Sequence, residues 1–171
     1  MLQDGAIGWR IVVPNFAVGL GVAVWMVVAG DARSLPDPGL TPGAMNSAVT
    51  EATIDTTICV RGWSRSVRPP AEYTEALKRR QIREYGYADR RLRSYEEDHL
   101  IPIGIGGSPE DPRNLWPEPR ETADGWNADR KDELEAVLAR LVCARQVSLR
   151  EAQRAIATDW IAAYRRFVTG E

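Results

Sequence analysis

The pattern of apolar and polar positions predicts two amphipathic helices in the C-terminal half of the chain. Between Asn127 and Arg145 apolar residues recur at helical spacing and define one buried stripe, made of Leu134, Val137, Leu138, Leu141 and Val142. Ser148 to Glu151 then has the form of a capping box. The apolar face that follows it consists of Ala152, Ala155, Ile156, Trp160, Ala163, Tyr164 and Phe167. The second of these helices is expected to form scaffold.

Earlier elements are marked by turn residues and by composition. A helix is expected from Tyr73 to Tyr85, because Pro69-Pro70 precedes it and Gly86 suits a left-handed cap at its end. The segment from Val49 to Val60 is rich in Thr, Ile and Val, which predicts a short strand.

The stretch from Tyr95 to Pro119 combines a predicted reversal of the chain with candidate chemistry. An apolar, strand-like segment, Leu100 to Ile105, runs into Gly106-Gly107, whose backbone freedom suits a sharp turn. The only histidine, His99, directly follows the acidic run Glu96, Glu97 and Asp98. A carboxylate beside an imidazole at such a reversal could hold a divalent cation and a general base together. With the helices, this stretch predicts an α+β fold.

The N-terminal region predicts export. Residues 11–30 carry no charge, and about 20 such residues are enough to cross a bilayer. They fit a signal peptide or a membrane anchor, with Arg10 as a weak positive flank and small residues near Gly30 as cleavage positions. We therefore divide the chain into a leader at 1–32, a flexible linker at 33–42 and a globular domain at 43–171. The protein is expected to be membrane-anchored or secreted.

Composition fits one globular domain, since 171 residues with 44% hydrophobic content can bury one ordinary core. The net charge of −2 and the pI of about 5.6 do not favour a nucleic-acid-binding protein. One segment is nevertheless strongly basic and could contact phosphates, through Lys78, Arg79, Arg80, Arg83, Arg90, Arg91 and Arg93. A solvated helix face is the alternative.

Two cysteines, Cys59 and Cys143, lie in apolar contexts after the export segment. In an oxidising compartment they would form a disulfide that joins the front of the domain to its last helices. In a cytosolic protein they would be two small buried hydrophobic residues.

The central stretch resembles the HNH endonucleases. The resemblance consists of Asp98-His99, Pro102, Gly106-Gly107 and Asn114-Leu115 at their spacing, and it extends to the helix near Asp132. It implies a two-stranded hairpin packed on a helix around one metal ion. The longer frame, from Thr57 to the helix of Trp160, also resembles small exported bacterial proteins often named for HNH.

The resemblance assigns a role to each matching residue. His99 would deprotonate the attacking water, Asp98 would bind the metal, and Asn114 would tie the hairpin loop together and so fix the base. The third signature residue is usually a metal-binding histidine on the following helix, and this chain has no second histidine. Zinc is therefore less favoured than Mg²⁺ or Mn²⁺ on oxygen ligands.

Helix phase suggests a substitute for the missing ligand. Asn127 and Lys131 lie on the line of the buried stripe, whereas Asp132 points to the far side. Asn127 is therefore predicted as the third metal ligand, with Lys131 near a substrate phosphate. Asp132 is chemically the better ligand but is worse placed. In the alternative, Asn127 only caps the helix, and Lys131 and Asp132 are solvated.

These features lead to two functional hypotheses. The first is a metal-dependent endonuclease that hydrolyses phosphodiester bonds of DNA or RNA with little sequence preference. Its partners would be nucleic acid and, if the leader is retained, a membrane through residues 11–30. The second is a non-catalytic exported envelope protein with a degenerate HNH-like scaffold, which the missing histidine, the acidic pI and the expected disulfide all fit.

Overall fold

The structure is a computed structural model that describes residues 33–171, so the predicted leader at 1–32 and its membrane contact lie outside the described residues. A two-stranded antiparallel hairpin is surrounded by helices, which confirms the α+β class. No helix between residues 33 and 171 is both long and apolar enough to span a bilayer. The elements are α1 (Trp63–Ser66), α2 (Ala71–Glu84), β1 (Tyr95–His99), β2 (Leu115–Pro119), α3 (Ala128–Cys143), α4 (Leu149–Thr158) and α5 (Trp160–Tyr164).

The hairpin pairs β1 with β2 in a register that places His99 opposite Leu115 and Tyr95 opposite Pro119. Strand β1 therefore ends at His99, directly before the segment that the sequence predicted to be a strand. The prediction of a strand over Leu100–Ile105 is wrong. Pro102 has no backbone N–H for a strand ladder. Ile103–Ile105 instead forms a 3₁₀ turn.

The reversal at Gly106-Gly107 is confirmed. Gly106 has φ +84°, the left-handed region that favours glycine. The amide of Gly107 donates to the Pro102 carbonyl at 3.0 Å, and a Cβ on Gly107 would lie 1.7 Å from the Ile101 carbonyl oxygen. Only glycine fits there, so the loop closes tightly on itself.

The main core forms where α3, α4 and α5 pack around the loop that connects the two strands. Its buried side chains include Ile101, Ile105, Leu134, Leu138, Val142, Ile156 and Trp160. Ser148 caps α4 as predicted, because its hydroxyl accepts a hydrogen bond from the Glu151 amide at 3.2 Å, whereas the Glu151 carboxylate pairs with Arg166. The predicted last helix is split at Asp159, which has an extended backbone. The Asp159 side chain caps α5 by accepting a hydrogen bond from the Ala162 amide.

Helix α2 confirms the predicted helix and starts two residues earlier, and Gly86 after it has φ +68°. The strand predicted between Val49 and Val60 is wrong, because this segment holds a 3₁₀ turn at Ile54–Thr56. Threonine hydroxyls bond to nearby backbone there; that of Thr57, for example, donates to the Thr53 carbonyl at 2.7 Å. Such local bonds compete with a strand ladder.

Residues 33–42 lie against the domain, although the sequence suggests a flexible linker. The Trp160 indole N–H donates to the Ser34 carbonyl at 2.8 Å. Thr41 is fully buried, and its hydroxyl contacts the Tyr85 hydroxyl at 2.6 Å and the Leu115 carbonyl at 3.2 Å. This segment therefore packs over β2 and α5.

The predicted disulfide between Cys59 and Cys143 is present, with an S–S distance of 2.10 Å. It joins the segment after the Ile54–Thr56 turn to the last residue of α3. The two cysteines are 84 residues apart in sequence, so the bond encloses α2 and the whole hairpin.

Candidate functional site

Asn114 holds the loop between the two strands. The side chain is fully buried, and its amide nitrogen donates to the carbonyls of Ile101 and Ser108, both at 2.9 Å. Its amide oxygen accepts a bond from the Ile101 amide at 3.0 Å. One side chain thus satisfies both backbone groups of Ile101 and connects them to the far side of the loop.

His99 ends β1, and its ring is oriented by the same loop. The side chain is buried, and Nε2 lies 2.9 Å from the Pro109 carbonyl oxygen. A carbonyl can only accept, so Nε2 carries the proton and Nδ1 keeps a lone pair in the neutral ring. Nδ1 has no hydrogen-bond partner within residues 33–171. Burial lowers the pKa of His99, which favours this neutral form.

Asp98 contacts a different part of the fold from His99, as expected for adjacent residues of a strand. Its carboxylate bonds to the ammonium of Lys131 on α3. Lys131 also donates to the Glu135 carboxylate and to the His99 carbonyl, the latter at 2.9 Å. An ammonium has three N–H donors, so all the donors of Lys131 are used inside the protein.

The burial of Lys131 changes its predicted role. The side chain is 0% exposed, so it does not reach the surface, where the sequence predicted a contact with a substrate phosphate. Helix phase correctly placed Lys131 on the buried stripe of α3. The partner that makes this burial possible, Asp98, lies 33 residues away in sequence.

Glu118 on β2 completes a cluster that the sequence analysis missed. We name Asp98, Glu118, Lys131 and Glu135 the Lys131 cluster. Glu118 is 1% exposed, lies beside the Asp98 carboxylate and accepts no hydrogen bond within the described part of the chain. The spacing of Lys131 and Glu135, four residues apart on one helix, is a sequence signal that could have linked Glu135 to Lys131.

Electrostatics in the Lys131 cluster follow from burial and from the single ammonium. Burial opposes ionisation of Asp98, but the adjacent Lys131 ammonium outweighs it and lowers the pKa of Asp98. Burial also opposes protonation of Lys131, and the carboxylates of Asp98 and Glu135 reverse this and raise its pKa. For Glu118, burial and the charge of Asp98 both raise the pKa well above its usual range. Both effects favour the neutral, protonated form of Glu118 over the carboxylate.

The residues predicted to bind Mg²⁺ or Mn²⁺ do not fit a divalent cation as they are placed. The Asp98 carboxylate is bound by the ammonium of Lys131. Asn127 caps α3, with its side-chain oxygen accepting a bond from the Arg130 amide at 3.3 Å. Within residues 33–171, no three His, Cys, Asp or Glu side chains are arranged to hold a metal ion.

Glu97 is a further acid whose environment the sequence did not reveal. Glu96, its neighbour, pairs with Arg120 at 2.9 Å near the surface, as expected of a charge at a strand edge. The two oxygens of Glu97 are instead buried, and neither has a hydrogen-bond partner among the described residues. Burial, only partly offset by the nearby charge of Lys78, raises the pKa of Glu97 to about 8.

The predicted phosphate-binding segment is largely engaged in local contacts. Within it, Arg79 pairs with Glu75, Arg80 with Glu84, and Arg91 with Asp89 at 2.8–3.2 Å. Lys78 donates to the Tyr95 carbonyl at 3.3 Å and Arg90 to the Ile82 carbonyl at 3.1 Å. Arg83 and Arg93 form no ion pair within residues 33–171. The segment is therefore less positive locally than its sequence implies.

The chain gives no match to a protein-family model, to a curated protein or to a solved structure.

Proposed function

We propose that this chain is a non-catalytic exported protein whose domain keeps an HNH-like hairpin-and-helix frame. The frame consists of β1, β2 and α3, and the resemblance rests on Asp98, His99 and Asn114. The observation that carries the proposal is the fully buried ammonium of Lys131, bound between Asp98 on the hairpin and Glu135 on the helix. A cation belonging to the protein thus joins the two parts of the frame.

The energetics of this ion pair favour a structural role. Separating a buried ion pair costs about 3–5 kcal/mol, because the remaining charge loses its counter-ion in a poorly solvated place. A divalent cation that used Asp98 would have to displace Lys131 and offset this cost. We therefore expect the frame to be stable without any metal.

Export is supported by two features. The uncharged segment at 11–30 fits a signal peptide or a membrane anchor, and a disulfide is stable in an oxidising compartment. The protein would then be secreted or attached to the cell membrane.

A metal titration tests the proposal. Isothermal titration of the purified protein with Mg²⁺ and with Mn²⁺ is expected to give no heat of specific binding. The matched variant is Asp98→Asn. Stoichiometric binding by the wild type that is lost in Asp98→Asn would contradict the non-catalytic proposal.

A second candidate function is the metal-dependent hydrolysis of phosphodiester bonds, in which His99 would take a proton from water. The orientation of the imidazole favours it: Nε2 is fixed by the Pro109 carbonyl and Nδ1 has no partner among the described residues. The Asn114 amide steadies the loop that supplies this carbonyl, through its bond to Ser108. A general base needs this combination of a fixed ring and an available lone pair.

Plasmid nicking decides between the two candidates. The protein is incubated with supercoiled plasmid in Mn²⁺ and, separately, in a chelator. The non-catalytic proposal expects no nicking in either. Nicking by the wild type that disappears in His99→Ala and persists in Asn46→Ala, a change at a half-buried loop residue, would establish the nuclease instead.

A further inference from the structure

We infer that the ammonium of Lys131 fills a cation-binding position, and that removing it opens a divalent-cation site formed by Asp98, Glu118 and Glu135. The inference rests on the proposed function, in which this position is occupied by the protein's own charge.

The atoms around the ammonium are oxygen donors from two elements. The Asp98 carboxylate and the His99 carbonyl come from the end of β1, and the Glu135 carboxylate comes from α3. Carboxylate and carbonyl oxygens are the ligands that hard divalent cations prefer. The chain therefore presents a set of oxygens around a point that already holds positive charge.

Glu118 gives independent support, because the cluster contains more acid than its cation can balance. Three carboxyl groups share one ammonium in the Lys131 cluster. Asp98 faces Trp116 across the hairpin, so Glu118, two residues further along β2, lies on the same face of the sheet. It is 1% exposed, and neither of its carboxyl oxygens has a hydrogen-bond partner within the described residues. A divalent cation in place of the ammonium would give these oxygens a partner.

Solvent can reach the edge of the cluster, although Lys131 itself is enclosed. The side chain of Asp98 is 12% exposed and that of Glu135 is 20% exposed. Replacing Lys131 by Ala removes the alkyl chain together with the charge and leaves a polar space that water and a small cation can enter. Replacing it by Met removes the charge but keeps a side chain of similar length in that space.

The experiment compares Mn²⁺ binding by three forms of the full chain, using electron paramagnetic resonance of free Mn²⁺. Lys131→Ala is expected to bind one Mn²⁺, whereas the wild type and Lys131→Met bind none. Adding Glu118→Gln to Lys131→Ala is expected to weaken binding at least tenfold. Absence of binding by Lys131→Ala, or equal binding by the double variant, would overturn the inference.

A folding measurement keeps the test decisive if Lys131→Ala is unstable. Circular dichroism and the melting temperature are recorded with and without Mn²⁺. Mn²⁺ is expected to restore helicity or raise the melting temperature of Lys131→Ala and to leave Lys131→Met unchanged. A failure of Mn²⁺ to do either overturns the inference while the proposed function stands, whereas Mn²⁺ binding by the wild type overturns the proposed function.

Discussion

Glu97 shows how a single residue can couple the stability of this domain to pH. Its carboxyl lies on β1 with both oxygens buried and without hydrogen-bond partners in the described chain. Burial raises the pKa of Glu97 from 4.5 to about 8. The folded protein therefore retains a proton that the unfolded chain loses, and its stability depends on pH between these two values.

The sign of this dependence gives a prediction for Glu97→Gln. Because the folded pKa is raised, the contribution of Glu97 to stability is fully present below pH 4.5 and is lost as the pH rises towards about 8. Compared with the wild type, Glu97→Gln is therefore expected to gain free energy of unfolding as the pH rises through this range. Urea denaturation at both ends of the range measures the gain.

The control for Glu97→Gln is Glu75→Gln, which changes an exposed acid on α2 that pairs with Arg79. The free energy of unfolding of Glu75→Gln is expected to differ little from that of the wild type at both pH values, because exposed ion pairs contribute little to stability. Burial lowers the pKa of His99, so the contribution of His99 to the free energy of unfolding is lost as the pH falls below 6.5. This loss is the same in the wild type and in both Gln variants. An equal response of the two Gln variants would contradict the assignment to Glu97.

At the scale of elements, the hairpin depends on one buried amide in the loop that connects its strands. Asn114→Ala removes the bonds to both backbone groups of Ile101 and to the Ser108 carbonyl. Leaving buried polar groups without partners is expected to lower the free energy of unfolding by about 3 kcal/mol. Chemical denaturation measures this loss, and hydrogen exchange at the Ile101 amide is expected to accelerate.

Asn46→Ala is the matched control for Asn114→Ala. The Asn46 side chain makes one local bond, accepting from the Ala48 amide at 3.0 Å in a half-buried loop. Its replacement is expected to change stability by less than about 1 kcal/mol. If the two alanine variants were equally stable, Asn114 would not be the residue that holds the loop.

For the whole molecule, the disulfide connects the first part of the domain to the end of α3. In the chain-entropy account, closing a loop of 84 residues stabilises the fold by about 4–5 kcal/mol. The double variant Cys59→Ala/Cys143→Ala is expected to lose free energy of unfolding of this order. Denaturation of the oxidised wild type and of the variant measures it.

A reducing agent provides the control for the cysteine variant. Reduction is expected to lower the stability of the wild type towards that of Cys59→Ala/Cys143→Ala and to leave the variant unchanged. A wild type whose stability does not change after complete reduction, verified by thiol titration, would contradict a stabilising role for the bond.

The sequence by itself determined the features that depend on neighbouring residues. Apolar spacing placed α3 and the buried face of α4 and α5, and the flanking prolines and Gly86 placed α2. The glycine pair at residues 106–107 placed the reversal. Such signals are local, because helical periodicity and backbone dihedral preferences act over a few residues. The export context also pointed to the pairing of Cys59 with Cys143, since the chain has no other cysteine.

Only the tertiary structure decided the content of the candidate site. Helix phase put Lys131 on the buried face of α3, but a buried lysine is stable only beside acids, and Asp98 reaches it from a distant strand. Glu118 joins them through the register of the hairpin, which pairs Asp98 with Trp116 and so brings Glu118 onto the same face of the sheet. Which charges meet depends on contacts between distant segments, and no local pattern encodes them.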